Sequence, residues 1–262
     1  MSAESTEADL RTGALTVSAA GPVESGKGGE GGVLQMTNSE FVAAVFPSLP
    51  DGAFVAASSK GGDPGVGGWP ARRFDPTTDI SSAETNNFVG CSSFYPGADG
   101  LFKARKSHFA ACHFLMLDDL GTKVPLDRLR EFELSWLIET SPGNHQGGII
   151  LSEPLTDGAV AVRLLNAVIK AELCDGGASG PLSRWARLPL AINGKPKHAS
   201  EDGAPFQCRL IEWKPDNRYT PQEIVDQLRL ELAPAGRPKR TTKTAASNDA
   251  SLGSENDADD VL

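Results

Sequence analysis

The stretch Cys112-His113-Phe114-Leu115-Met116-Leu117, followed at once by Asp118-Asp119, decides the fold. A short apolar run of this kind, closed by two acidic residues, indicates a β-strand that is buried on both of its faces. Side chains at the end of such a strand are held by a rigid scaffold, which can aim them into a cleft. We therefore expect the acidic pair to lie at a candidate functional site.

Weaker strand and helix signals surround this run. The turn-forming residues Ser141-Pro142-Gly143-Asn144 separate two apolar runs, which predicts a hairpin. Capping residues precede amphipathic segments and predict helices that begin at Thr37 or Asn38, at Thr156 and at Thr220. The elements show no regular strand-helix alternation, which favours an α+β, or two-layer α/β, fold. The predicted strands cover residues 53–57, 87–94, 112–117, 134–138, 148–151 and 206–213.

Low-complexity ends bound the predicted folded region. Residues 1–35 are rich in Gly, Ser, Ala and Glu, and residues 234–262 run from a basic patch to an acidic end. We expect a disordered leader and a disordered tail around one domain at residues 36–233. The net charge of −9 lies mainly in the ends, because 24 acidic and 23 basic residues remain between 31 and 248. A local nucleic-acid-binding cleft is therefore compatible with this acidic chain.

The sequence argues against a membrane protein and against a disulfide-stabilised one. No run approaches the roughly 20 apolar residues that a membrane span needs, and the N-terminus lacks the pattern of a signal peptide. The cysteines at 91, 112, 174 and 208 form no CxxC pair, so neither a zinc ribbon nor a disulfide framework is indicated. We expect a cytoplasmic protein with reduced thiols.

Three polar clusters carry the candidate chemistry. Asp118-Asp119 can hold Mg²⁺ or Mn²⁺, which prefer oxygen ligands, although a solvated acidic turn explains the same residues. The hairpin segment from Glu139 to Gln146 can cradle phosphates with its hydroxyls and backbone amides, or can be a plain β-turn. The segment from Arg184 to His198 gathers basic side chains, as a triphosphate or template site requires.

The strings LMLDDLGTK, ETSPGNHQ and RWARLPLAINGKPK, in this order, resemble the signature regions of RepB-type primases. These enzymes of plasmids and phages belong to the archaeo-eukaryotic primase, or primase-polymerase, superfamily. The resemblance runs from about residue 114 to residue 197 and implies a catalytic core with an RRM-like sheet and flanking helices. Relatives separate the paired acids by one residue, whereas Asp118 and Asp119 are adjacent and would face opposite ways on a regular strand. They can share a metal only if the strand has ended or bulged.

The resemblance also implies roles for individual residues. A third acid is expected shortly before the arginine segment, where this chain has Asp175. A one-residue register leaves open whether His145 or Gln146 contacts the phosphates of the incoming nucleotide. The implied metal ligands and catalytic residues are Asp118, Asp119 and Asp175, and the implied nucleotide-binding residues are Ser141, His145, Gln146, Arg184, Arg187, Asn193 and Lys195.

The resemblance implies synthesis of short primers on a single-stranded DNA template from nucleoside triphosphates, by two-metal nucleotidyl transfer with Mg²⁺ or Mn²⁺. The setting would be replication of a plasmid, a phage or an integrated element. A replicative helicase is expected as a separate chain or as a missing C-terminal domain, and no membrane is involved. The alternative is a non-catalytic replication or origin-binding module with the same fold. Two departures favour it: the adjacent aspartates, and Leu190 where many relatives have glycine.

Overall fold

The computed structural model of the protein describes residues 36–68, 70–75, 82–178 and 180–234. The predicted leader and nearly all of the predicted tail lie outside these residues. Within them the chain forms three α-helices and eleven β-strands. In chain order these are α1 (Asn38–Val45), β1 (Phe54–Lys60), β2 (Ala71–Arg73), β3 (Asn86–Phe94), β4 (Phe109–Leu120), β5 (Trp136–Ser141), β6 (Asn144–Leu155), α2 (Gly158–Lys170), β7 (Trp185–Arg187), β8 (Ile192–Asn193), β9 (Phe206–Gln207), β10 (Arg209–Trp213), β11 (Arg218–Tyr219) and α3 (Pro221–Gln227).

A nine-stranded sheet forms the framework. Its strands follow the order β10-β5-β6-β4-β3-β1-β2, with β7 beside β3 and β11 beside β6. Among the described strands only β11 pairs in parallel with its neighbour, and all the others pair antiparallel. The strands β8 and β9 form a separate ribbon. Strands and helices are thus mixed without βαβ repeats, which confirms the predicted α+β fold.

The central strand β4 is buried on both faces, as the sequence predicts. Its residues Leu115 and Leu117 belong to a buried cluster that includes α2 and α3. Phe114 and Met116 point the other way, into a buried cluster that includes α1. This alternation follows from the two-residue period of a strand. Helices therefore cover both faces of the sheet and leave the ends of its strands as the place for polar side chains.

Local capping chemistry starts each helix. Thr37 caps α1 and Thr220 caps α3, each in a capping box with a glutamate three residues later. The prediction that Thr156 caps the long helix is wrong by one residue. Asp157 is the cap of α2, and its carboxylate accepts the backbone N–H groups of residues 159 and 160. No helix in the described part of the chain is both long and apolar enough to cross a bilayer.

Two strand predictions needed revision. The strand predicted at 206–213 is divided at Cys208, because β9 pairs with β8 whereas β10 pairs with β5. The run at 148–151 is only part of β6, which begins directly after the predicted hairpin turn. Gly148 of β6 lies against the indole of Trp136, and an added Cβ would overlap the Cε2 atom of that ring. This close approach explains why a glycine interrupts the apolar pattern.

Candidate active site

The end of β4 carries a β-bulge at the acidic pair. The pairing register of β4 with β6 shifts between Leu117 and Leu120. Two residues of β4, Asp118 and Asp119, therefore lie opposite the single residue Gln146 of β6. Asp119 adopts a left-handed conformation with φ of 57°. A bulge re-aims side chains, so the two adjacent acids are released from the alternation that would put them on opposite faces.

The third predicted acid lies beside this bulge. The backbone N–H of Asp175 donates to the carbonyl oxygen of Asp118 over 3.3 Å. Lys123 joins the other two carboxylates, because its Nζ lies 2.8 Å from Asp119 Oδ2 and 3.1 Å from Asp175 Oδ1. The structure thus brings the three predicted acids together. We call Asp118, Asp119 and Asp175 the acidic cluster.

Hydrogen bonds and nearby cations keep the carboxylate of Asp119 charged. Burial raises the pKa of Asp119, but hydrogen bonds from Lys123 and Asn144, together with the positive charges of Lys123 and Lys195, outweigh it and lower the pKa. The hydrogen bond to Asp119 in turn raises the pKa of Lys123, with a further contribution from Asp175. The carboxylate of Asp119 and the ammonium of Lys123 are therefore both ionised at neutral pH.

Arg184 and Gln146 hold Asp118. One guanidinium nitrogen of Arg184 lies 2.8 Å from Asp118 Oδ2, and the other donates to the carbonyl oxygen of Gly177. The side-chain amide of Gln146 donates to Asp118 Oδ1 over 3.2 Å. The Nδ1 atom of His145 instead lies 3.2 Å from the carbonyl oxygen of Leu120. Of the two candidates in the hairpin, Gln146 is the one in contact with the acidic cluster.

Two predicted nucleotide-binding residues are buried beneath the site. The guanidinium of Arg187, 5% exposed, donates to Asn86 Oδ1, to the carbonyl oxygen of Ile192 and to Asn193 Oδ1. It also stacks over the ring of Phe88. Asn193 donates onward to the carbonyl oxygen of residue 140. Both side chains are occupied by protein partners, and the backbone N–H of Arg187 donates to Gln146 Oε1.

The hairpin turn is fastened to the end of β4. Asn144 donates to Asp119 Oδ1 over 3.1 Å and accepts the hydroxyl of Thr122. An added Cβ on Gly121, whose φ is 90°, would lie 2.4 Å from the carbonyl oxygen of Gly143. The two turns therefore meet backbone to backbone. Ser141 is buried at the last position of β5, three residues before β6 begins at Asn144.

Lys195 and Lys123 are the exposed cations beside the acidic cluster. The charge of Lys195 contributes to the lowered pKa of Asp119. Lys123 was missed by sequence reasoning, although it closes the string LMLDDLGTK. The feature that could have indicated its role is its position four residues after Asp119, across a Gly-Thr turn that lets the chain fold back. Sequence reasoning also missed the contact between Asn144 and Asp119, because the segment Ser141-Pro142-Gly143-Asn144 is typical of a simple turn.

The donor set suits a hard divalent cation. Carboxylate oxygens are the ligands that Mg²⁺ and Mn²⁺ prefer, and two of these carboxylates already share one positive charge, the ammonium of Lys123. As it stands, the described part of the chain contains no group of three or more His, Cys, Asp or Glu side chains arranged to hold a metal. The acids have the ligand chemistry that the ion requires, but the ammonium of Lys123 lies between Asp119 and Asp175.

The fold is similar to that of an archaeo-eukaryotic primase (AEP) domain of known structure. The AEP domain of the primase-polymerase of cyanophage S-2L superimposes with a TM-score of 0.51 at 12% identity, over 72% of this chain and 95% of that one. Primase RepB′ is also similar, with a TM-score of 0.48 at 13% identity over 73% of this chain and 62% of that one. Its catalytic domain in complex with initiator DNA gives a TM-score of 0.47. No curated protein sequence matches the chain.

The family follows from the sequence match. The profile of the RepB DNA-primase N-terminal domain matches residues 100–234, which is just over half of the chain. The protein therefore belongs to the RepB primase family. The matched region begins after β3 and contains the whole acidic cluster, the hairpin turn and the basic segment. This membership confirms the resemblance read from the three sequence strings.

Proposed function

We propose that the protein is a DNA primase or primase-polymerase that makes short primers on single-stranded DNA from nucleoside triphosphates. The observation that carries this proposal is the bulge of β4. It brings Asp118 and Asp119 side by side, next to Asp175 and to Arg184, and the charge of Lys195 acts on Asp119. A nucleotidyl transferase needs this combination, because carboxylate side chains hold the divalent cations and positively charged side chains hold the phosphates.

The acidic cluster would hold the Mg²⁺ or Mn²⁺ ions. In two-metal nucleotidyl transfer such ions activate the attacking 3′-hydroxyl and stabilise the charge on the α-phosphate and the leaving pyrophosphate. Gln146 orients Asp118 through its amide hydrogen bond. Arg184 binds the same carboxylate from the other side and fixes its direction. Supporting contacts of this kind commonly matter to metal affinity almost as much as the ligands do.

The positive side chains would neutralise the triphosphate. Lys195 is exposed beside the acidic cluster, where its charge already acts on Asp119. Fixed positive groups stabilise the charge that develops on phosphate oxygens in the transition state. Of the two remaining hairpin residues, the half-buried His145 stays a proposed nucleotide contact, whereas Ser141 is 2% exposed and is assigned a positioning role. Arg187 and Asn193 are buried, and we assign them a positioning role, through Gln146 and through the backbone N–H of Lys195.

The setting that we propose is replication of a plasmid, a phage or an integrated element in the cytoplasm. The template is single-stranded DNA, and a replicative helicase acts with the primase, either as a separate chain or as a further domain. Family membership supports a replication role of the primase type. The proposed nucleotides, helicase and host element rest on the resemblance of the three sequence strings.

The test is primer synthesis from labelled nucleotides on single-stranded DNA with Mg²⁺ or Mn²⁺. Asp118→Asn and Asp175→Asn preserve side-chain size but remove charge from the acidic cluster, and we expect both to abolish primers. Asp99→Asn is the matched control, because that exposed carboxylate pairs only with the surface residue Lys103 among the ion pairs of the described chain. It should synthesise primers as the wild type does. Circular dichroism confirms that each variant is folded.

The alternative is a non-catalytic replication or origin-binding module. One observation favours it: Lys123 and Arg184 already neutralise the acidic cluster within the chain. A folded wild type that binds single-stranded DNA but makes no primer under any metal or nucleotide supply would establish this alternative. Loss of primers in both cluster variants, with activity in the control, would exclude it.

A further inference from the structure

Lys123 forms ion pairs with Asp119 and Asp175, whereas Arg184 pairs with Asp118, the third acid of the acidic cluster. Its side chain is 62% exposed, yet its ammonium lies within ion-pair distance of both Asp119 and Asp175. The backbone fixes where the side chain starts, because the N–H groups of Lys123 and Val124 both donate to the carbonyl oxygen of Asp119 over 3.1 Å. The base of the side chain is therefore fixed, while its tip reaches the acidic cluster from the solvent side.

We propose that Lys123 is an internal counter-ion that holds the acidic cluster together while it is empty and is displaced when a divalent cation binds. This inference rests on the proposed function, because it takes the acidic cluster as the metal site. It assigns a function to a residue that is neither a metal ligand nor a predicted nucleotide contact. Lys123 would set the cation concentration at which the site fills.

Electrostatics requires some such counter-ion. The carboxylates of Asp119 and Asp175 both lie within ion-pair distance of one ammonium, and two carboxylates this close repel each other unless a cation lies between them. The ammonium of Lys123 supplies one positive charge, whereas a divalent cation supplies two in the same place. Because like charges exclude each other, the ammonium and the cation cannot both stand between Asp119 and Asp175. Binding of the cation therefore requires Lys123 to leave.

Lys123 is suited to leaving, and Arg184 is not. A lysine ammonium is a strongly hydrated charge on a flexible stem, and exposed ion pairs of this type contribute little stability. Arg184 is less exposed, and its two guanidinium nitrogens are held separately, by Asp118 and by the carbonyl oxygen of Gly177. A planar guanidinium fixed at two points stays in place. The entering cation should therefore displace the lysine and leave the arginine.

The first measurement is the affinity for Mn²⁺ without nucleotide, read from the free-ion signal in electron paramagnetic resonance. Lys123→Met removes the competing charge, so Mn²⁺ should bind more tightly, by roughly three- to tenfold for two exposed ion pairs. Lys123→Gln should behave in the same way. Lys195→Met is the matched control, since it removes a charge that acts on Asp119 without an ion pair to the acidic cluster. We expect it to tighten binding distinctly less.

The second measurement is the melting temperature with and without Mn²⁺. Without metal, Lys123→Met should melt below the wild type, because the repelling carboxylates lose their shared cation. Saturating Mn²⁺ should raise the melting temperature of the variant more than that of the wild type, since tighter binding stabilises the fold more at a given concentration. A purely structural role for Lys123 would lower both melting temperatures equally.

The outcomes separate this inference from the proposed function. Equal or weaker Mn²⁺ affinity in Lys123→Met, with primer synthesis intact in the wild type, overturns the role of Lys123 alone. An equal increase in Mn²⁺ affinity in Lys195→Met also overturns it, because the loss of any nearby positive charge then explains the effect. Absence of Mn²⁺ binding by every protein, together with absence of primers, overturns the proposed function and this inference with it.

Discussion

Substitution of Arg187 by lysine tests whether this residue positions the site or contacts the nucleotide. The guanidinium makes three hydrogen bonds, of 3.2 Å to Asn86, 2.6 Å to Ile192 and 3.0 Å to Asn193, and stacks 4.7 Å from the ring centre of Phe88. A lysine keeps the charge but has a single nitrogen, which cannot reach three separated acceptors. The substitution therefore removes the planar arrangement of hydrogen-bond donors while it keeps the positive charge.

The magnitude follows from the hydrogen bonds that are lost. Each bond from a charged donor contributes about 1.5–3 kcal/mol, and Arg187→Lys loses about two of the three. Part of the cost is offset, because Asn86 Oδ1 still accepts the N–H of Gly194 and Asn193 Oδ1 still accepts the N–H of Lys195. We expect the free energy of unfolding to fall by about 2–4 kcal/mol.

The assay is urea unfolding followed by tryptophan fluorescence, paired with the KM for the nucleotide under conditions in which the variant stays folded. Arg130→Lys on the exposed surface is the control and should change stability by less than about 0.5 kcal/mol. The reasoning is refuted if Arg187→Lys is as stable as this control while its nucleotide KM rises more than tenfold. Arg187 would then contact the triphosphate directly, as the family resemblance implies.

Three further changes test the core and the supporting contacts. Gly148→Ala should lower the free energy of unfolding in urea by at least about 1–3 kcal/mol, because its Cβ would overlap the indole of Trp136; an unchanged midpoint would contradict this packing. Gln146→Ala should weaken Mn²⁺ binding by roughly 10- to 100-fold, because Asp118 loses an orienting donor; unchanged affinity would remove this residue from the site. Burial lowers the pKa of His113 from 6.5 to about 4. The unfolded chain therefore binds a proton that the fold excludes, and stability is lost as pH falls from about 6.5 towards 4. Urea titrations of the wild type should show a loss of about 2 kcal/mol between pH 7 and pH 5 that His113→Leu lacks.

The sequence predicted the framework well where periodicity was strong. The run at 112–117 was read as a strand buried on both faces, and the alternation of Leu115 and Leu117 with Phe114 and Met116 confirms it. Capping chemistry correctly placed the start of α1 and of α3. These signals are local, because a cap or a two-residue period depends on neighbours within one turn or one strand.

Other strand features depend on partners far along the chain. The short strand β7 pairs with β3 across almost 100 residues, and nothing in the letters Trp-Ala-Arg predicts that partner. The bulge at Asp119 is equally hidden, because a left-handed backbone at an aspartate follows from no local pattern in the sequence. Sequence reasoning could state only that the strand must end or bulge there if the two acids are to share a metal, whereas the structure shows a bulge.

The candidate site was predicted in its residue types but not in its contacts. The three strings named the acids, Gln146 and the basic segment as site residues, and the folded chain places Asp118 in contact with Gln146 and Arg184. Their letters did not show that Arg187 would be buried, since an arginine in a basic segment is usually exposed. They also gave Lys123 no role. Both assignments depend on which side chain lies next to which after folding.

A crystal structure with Mn²⁺ and a non-hydrolysable nucleoside triphosphate would test the central claim most directly. We expect anomalous density for Mn²⁺ within about 2–2.2 Å of carboxylate oxygens of the acidic cluster, with Lys123 moved away from Asp119 and Asp175. Density elsewhere, or an acidic cluster still closed by Lys123 at saturating Mn²⁺, would contradict the account.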